Sequence, residues 1–169
     1  MYLPVKNDTL SKKDGAVPLE KGEITMLKGI PECISPELLK ILHEMGHGDR
    51  LVIGDANFPA AACAKNNILI RADGVTATEL LDAILQLFPL DEVEHPVLIM
   101  DKQEHHKNME TPVWDVFKST VAKYDPRGAS ACGLIGRFDF YEEAKKAYAV
   151  VATTEKAFYS CLILQKGCI

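Results

Sequence analysis

The chain has 169 residues, 47% hydrophobic and 25% charged, with a formal net charge of -5, which suits one compact α/β-sized domain able to bury its own core. The acidic balance argues against nucleic acid as a partner, because phosphate binding needs a basic face. No apolar run approaches the length of a membrane span, and the first residues lack the apolar stretch of a secretory signal.

Residues 1–25 carry scattered charges and no helical or strand periodicity, so they read as a flexible extension ahead of a single domain over 26–169. From Ser35 the pattern becomes regular. Ser35 is an N-cap, Pro36 occupies the first helical position, and Leu38, Ile41, Leu42 and Met45 repeat at helical spacing. Gly46 ends that helix, and Leu51-Val52-Ile53 predicts a buried strand. Ile68-Leu69-Ile70 predicts another. Thr76 and Glu79 form a capping box for a helix buried through Leu80, Leu81, Ile84, Leu85 and Phe88.

Pro96 to Met100 reads as a strand, and Asp101 to Glu110 as a polar loop, either a lid or plain surface, with plain surface preferred. Thr111 and Pro112 repeat the cap-plus-proline start for a helix ending near Tyr124, with Trp114 in the core or an interface. Asp125-Pro126-Arg127-Gly128 predicts a turn. A charged helix over about Phe140 to Lys146 pairs Glu142 with Lys146, and strands at Ala149 to Thr153 and Leu162 to Leu164 close the chain. Helices alternating with short apolar strands predict an α/β fold with a mainly parallel sheet covered on both faces, the orientation of the last strands staying open.

Five cysteines without CxxC spacing read as reduced thiols of a cytoplasmic protein, neither a disulfide framework nor a zinc site. Three segments interrupt the packing pattern. His47, between Gly46 and Gly48, is either a neutral-range acid–base group or a solvent-facing turn residue. Asp55, at a strand's carboxyl end, either receives ligand hydroxyls or caps its own turn. Arg137 and Tyr141 in Arg137-Phe138-Asp139-Phe140-Tyr141, with Tyr159-Ser160-Cys161 downstream, either line a sugar pocket or belong to an aromatic core. No nucleotide-binding glycine loop and no serine-hydrolase elbow is present. Glu104-His105-His106 places adjacent histidines that do not face one point, which argues against a metal.

Taken together, the segments GHGD at 46–49, DANFPA at 55–60, RADG at 71–74, TPVWD at 111–115 and RFDFYE at 137–142 resemble the L-fucose mutarotase/D-ribose pyranase family, and its fucose branch more closely. The resemblance implies a Rossmann-like three-layer domain that interconverts anomers of a reducing monosaccharide without cofactor or metal. It implies a catalytic acid–base role for His47 and substrate binding by Asp55, Arg137, Tyr141, Tyr159, Ser160 and Cys161. It implies a homo-oligomer, dimer or decamer, with sites at subunit boundaries. A pyranase, or a sugar-binding protein without catalysis, is the alternative. Where the family has Tyr-Gly-Asn or Tyr-Ala-Asn this chain reads Tyr159-Ser160-Cys161, replacing an amide with a weakly hydrogen-bonding thiol. His47 precedes the Leu51 strand and Asp55 follows it, so a straight strand separates them. Either the glycine turn folds back or a neighbouring subunit joins the groups.

Overall fold

The computed structural model describes residues 27–169, so the extension expected over residues 1–25 lies outside the described residues. The elements in chain order are α1 (Pro36–Glu44), β1 (Arg50–Gly54), α2 (Ala60–Cys63), β2 (Ile68–Ala72), α3 (Ala77–Leu85), β3 (Val97–Met100), α4 (Val113–Tyr124), β4 (Cys132–Ile135), α5 (Arg137–Ala144), β5 (Ala149–Thr153) and β6 (Leu162–Gln165). The Ser35 hydroxyl accepts the Leu38 N–H and the Thr76 hydroxyl accepts the Glu79 N–H, as the capping patterns require.

The strands form one six-stranded sheet in the order β2-β5-β1-β6-β3-β4. It is mixed rather than mainly parallel: β6 lies between β1 and β3 and is antiparallel to both, whereas β2, β5 and β1 pair in parallel, as do β3 and β4. The cause is the short link 154–161 between β5 and β6. A parallel crossover needs about a dozen residues or more, so the chain returns in the opposite direction and skips over β1 to pair on its far side.

Alternate strand residues feed two cores, one on each face. Leu51, Ile53, Val151, Leu162 and Leu164 pack with α1, α3 and α4 through Leu38, Leu81, Phe117 and their neighbours. Val52, Val150 and Ile163 pack with α2 and α5 through Cys63, Phe140 and Ala144. Among the described residues no helix is long and apolar enough to cross a membrane.

Several local expectations are corrected. The helix expected from Thr111 starts at Val113, with Pro112 in the cap position and no side-chain cap bond. The charged helix runs from Arg137, three residues early, to Ala144, and the two lysines that follow it bond back at i,i+3, Lys145 to Glu142 and Lys146 to Glu143. Strand β4 is an unpredicted edge strand: Cys132-Gly133-Leu134-Ile135 has no alternation to reveal it. Asp101 to Glu110 is not plain surface, since it contains a 3₁₀ turn at Glu104–His106 whose His106 bonds Tyr159 in the link between β5 and β6.

Arg127 ties the turn after α4 to the segment before β3. Its guanidinium meets both oxygens of the Asp125 carboxylate, at 2.9 and 2.7 Å, and donates to the Asp91 and Val93 carbonyls at 2.7 Å each. Hydrogen bonding from Arg127 holds the Asp125 carboxyl below its ordinary range. Arg127→Ala should lower stability by about 2–3 kcal/mol at neutral pH, read by urea unfolding. A depressed carboxyl stabilises the fold above its unfolded pKa, and that contribution is lost as pH falls through the folded value. The gap between wild type and Arg127→Ala should therefore narrow below about pH 4.

Candidate active site

The carboxyl ends of β1, β3 and β4 and the amino end of β6 meet on one edge of the sheet, the position where open α/β sheets hold ligands. A cavity of about 300 Å³ opens there, at the small end of ligand-site volumes. Asp55, Arg137, Tyr141, Tyr159 and Cys161 line it together with Asn57, Phe58, Met100, Gln103, His106 and Phe158.

Asp55 follows β1 directly. Its Oδ1 accepts the Asn57 N–H at 2.9 Å while its own N–H donates to the Cys161 Sγ at 3.4 Å. Turn-capping and pocket-lining thus coexist in one residue. The apolar wall is Phe58, whose ring meets Phe140 edge-on at 5.7 Å and Tyr141 at 5.8 Å. Gly54 permits this closeness, because a Cβ there would lie 2.5 to 2.9 Å from Phe58 atoms.

Arg137, at the start of α5, donates from Nε to the Tyr141 hydroxyl at 2.7 Å and from Nη1 to Gln103 Oε1 at 2.8 Å. The bond to Tyr141 raises its already high pKa, so it is a fixed cation beside the cavity. Burial, and then the Asp55 carboxylate, pushes the Cys161 thiol well above its ordinary range. Cys161 is therefore a neutral filler in the floor and no thiolate nucleophile.

Tyr159 has φ 57°, the left-handed region that a residue with a Cβ enters at a cost of roughly 1 kcal/mol. Neighbours hold it there. The buried Trp114 donates from its indole to the Tyr159 carbonyl at 2.8 Å. The Gln103 N–H reaches the phenolic oxygen at 3.3 Å, and His106 Nδ1 lies 2.6 Å from the same oxygen.

Two expected site residues stand elsewhere. Ser160 is fully buried, donates its hydroxyl to the Ala157 carbonyl at 2.7 Å and does not line the cavity. Its side chain braces the 154–161 link. His47 lies before β1, at the opposite end of that strand, and does not line the cavity either. Gly48, at φ 83°, turns the chain there and bonds its N–H to the Lys166 carbonyl, so the turn is fastened to β6's far end and does not fold back to Asp55. The His47 side chain is 62% exposed, with Nε2 3.3 Å from Asp91 Oδ2. Asp91 in turn accepts from Gln165 Nε2 at 2.8 Å and from the Glu92 N–H. Those bonds, Gln165 first and His47 among the lesser causes, hold the Asp91 carboxyl below its ordinary range.

Sequence reasoning missed Gln103 and His106. Their segment has neither periodicity nor a recognisable motif, and only the neighbouring tyrosine and arginine reveal their use. Gly54→Ala should displace Phe58 from Phe140 and cost roughly 1–3 kcal/mol of stability, read as a shifted urea midpoint with the slope unchanged.

The RbsD / FucU transport protein family matches residues 28–169. The chain is 46% identical over 149 residues to a protein of Danio rerio named fucose mutarotase, covering 86% of this chain and 96% of that one. It is 52% identical to the crystal structure of FucU from Bifidobacterium longum, with a TM-score of 0.82, covering 84% of this chain and 99% of that one. It is 44% identical to the fucose mutarotase of Streptococcus pneumoniae solved in complex with L-fucose, with a TM-score of 0.77, covering 85% and 99%. At that identity and coverage, and with the matched region spanning every element from α1 to β6, the chain belongs to the RbsD / FucU family.

Proposed function

We propose that the protein is a sugar mutarotase, an isomerase that interconverts the α and β anomers of L-fucose by general acid–base chemistry. The observation that carries this reading is its near full-length similarity to the pneumococcal enzyme solved with L-fucose, joined to a sugar-sized cavity lined by Asp55, Arg137, Tyr141 and Tyr159. Carboxylate, guanidinium and phenol tips meet hydroxyls, while the Phe58 and Phe158 rings meet the C–H face of a sugar.

Mutarotation needs a proton delivered to the ring oxygen and another taken from the anomeric hydroxyl. The C–O ring bond opens to the aldehyde, one bond rotates, and the ring closes on the other face. Asp55, Arg137, Tyr141 and Tyr159 hold the hydroxyls, Cys161 fills the floor, and His47 exchanges the ring-oxygen proton. Asp91 at the His47 Nε2 favours the tautomer protonated there, which leaves Nδ1 for the exchange.

His47 serves a pocket other than its own. The five residues of β1 span about 16 Å at 3.3 Å per residue, and His47 points into solvent at the far end. A homo-oligomer, dimer or decameric ring, with sites at subunit boundaries, brings one subunit's His47 to the next subunit's cavity. The exposed Phe158 ring, which lines the cavity, and the exposed Phe138 ring next to Arg137 in α5 suit such a contact. Cys63, Cys132, Cys161 and Cys168 are free thiols, which suits the reducing cytoplasm.

Saturation transfer between the anomeric proton signals of L-fucose tests the activity, with D-ribose as comparison. Enzyme-dependent exchange of the fucose anomers is expected; acceleration confined to ribose ring forms would assign a pyranase, and sugar binding with no exchange a binder. His47→Ala should lower turnover by about 10²–10⁴-fold with KM little changed, and unaltered turnover would remove His47 from the mechanism. Sedimentation at micromolar protein should show an oligomer. A monomer with full activity would overturn the boundary site.

A further inference from the structure

One half of the proton exchange has no group assigned to it. His47 accounts for the ring oxygen, while the anomeric hydroxyl needs its own proton acceptor. Among the described residues His106 is the one histidine lining the cavity, and it touches Tyr159 at 2.6 Å from Nδ1 to the phenolic oxygen. We propose that His106 and Tyr159 form a proton-exchanging pair in the cavity wall, the phenol facing the sugar and the imidazole behind it. This rests on the mutarotase reading above.

The hydrogen bonds give the pair its direction. The Tyr159 oxygen already accepts from the Gln103 N–H, so with a neutral imidazole the phenolic proton points to His106 Nδ1. The phenol's remaining lone pair is then open to accept the anomeric proton. With a protonated imidazole, Nδ1 donates to the phenol and the phenolic proton turns toward the sugar. The pair thus offers an acceptor in one state and a donor in the other, which are the two functions the anomeric oxygen requires.

The step balances. As the bond between the anomeric carbon and the ring oxygen breaks, its electron pair stays on that oxygen, which takes a proton from His47. The anomeric O–H gives its proton to the Tyr159 oxygen while the phenolic proton passes to His106 Nδ1, and the C–O bond becomes the aldehyde C=O. After rotation, closure runs the same transfers backward and returns both histidines to their starting states.

The loop is built to hold this geometry. Lys102 Nζ closes its base on the Met109 carbonyl at 3.0 Å. Gln103 bonds both Arg137 and Tyr159. The exposed His105 ring lies tilted beside His106 with centroids 4.1 Å apart, and the His106 and Tyr159 rings meet edge-on at 5.8 Å. The charged and titratable groups around the pair are His105, Glu104 and Lys107 on the loop, Arg137 and Tyr141 on α5, and Asp55 and Cys161 across the cavity. The left-handed backbone at Tyr159, secured by Trp114, aims the phenol at His106.

The test measures L-fucose anomer exchange as kcat, KM and pH profile for wild type, His106→Gln, His106→Ala, Tyr159→Phe and the double variant His106→Gln/Tyr159→Phe. Glutamine can still hydrogen-bond the phenol but cannot take up and return a proton. His106→Gln is expected to lose about ten- to a hundredfold in kcat, with KM within about threefold, and to lose one limb of the pH profile. The double variant should be no slower than Tyr159→Phe alone, because the two act as a unit. Full activity in His106→Gln, with or without loss in His106→Ala, would reduce His106 to a positioning residue and overturn the proposal. So would losses that multiply in the double variant. Wild type without exchange would overturn the mutarotase reading itself, whereas wild type active and His47→Ala impaired beside an unimpaired His106→Gln would overturn this inference alone.

Discussion

The short link between β5 and β6 is the constraint on which the site depends. Residues 154–161 cannot carry a parallel crossover, so β6 enters the middle of the sheet in reverse, between β1 and β3. Its amino end consequently lies beside their carboxyl ends. That places Tyr159 and Cys161 against Asp55 through the contact of the Asp55 N–H with Cys161 Sγ, and against Met100, whose N–H donates to the Cys161 carbonyl. A parallel β6 would carry the same residues to the opposite edge, and no cavity would form from them. Thr153 secures the start of the link by donating its hydroxyl to the Gly54 carbonyl at 2.8 Å.

The link is also where the backbone departs from easy geometry. Tyr159 is the only non-glycine residue with positive φ among the described residues. Its strain of roughly 1 kcal/mol is offset by one indole hydrogen bond to its carbonyl and by the two contacts at its hydroxyl, each net bond contributing about 0.5–1.5 kcal/mol. Ser160 adds a buried bond to Ala157 within the same turn. A residue over-determined in this way gives its side chain a fixed heading, which is what a group meeting a small, nearly symmetric ligand needs. The same turn explains why Ser160, adjacent in sequence to two cavity residues, faces the other way.

What the sequence disclosed follows the range of the interactions involved. Helix caps at Ser35 and Thr76 and the apolar runs of β1, β2, β3, β5 and β6 are local patterns, and the structure reproduces them. Asp55, Arg137, Tyr141 and Tyr159 were legible because they sit where elements begin or end and because they match a family pattern, and they converge on one cavity. The mixed sheet was not legible from periodicity, although the length of the 154–161 link carried the signal. Strand β4 hides because an edge strand with Gly133 against the His95 ring has no face to alternate. His106 hides for a different reason: its worth lies in a tyrosine 53 residues away.

His47 shows how chain proximity misleads. Eight residues separate it from Asp55 in sequence, yet a strand runs between them and β6 fastens each end differently, Lys166 at the His47 turn and Cys161 at Asp55. A group that is exposed, aligned by a carboxylate and remote from its own cavity serves the proposed reaction only if another copy supplies the rest. Symmetry then limits the assembly. Two-fold pairing that brings His47 of one subunit to the cavity of its partner creates the reverse contact as well, hence two sites per interface. Head-to-tail contact in a closed ring creates one site per interface and uses both ends of β1 in every subunit. In either arrangement the His47–Asp91 pair and the cavity are two faces of one contact. Substitutions at the His47 turn that leave each subunit folded would act on association and on turnover together.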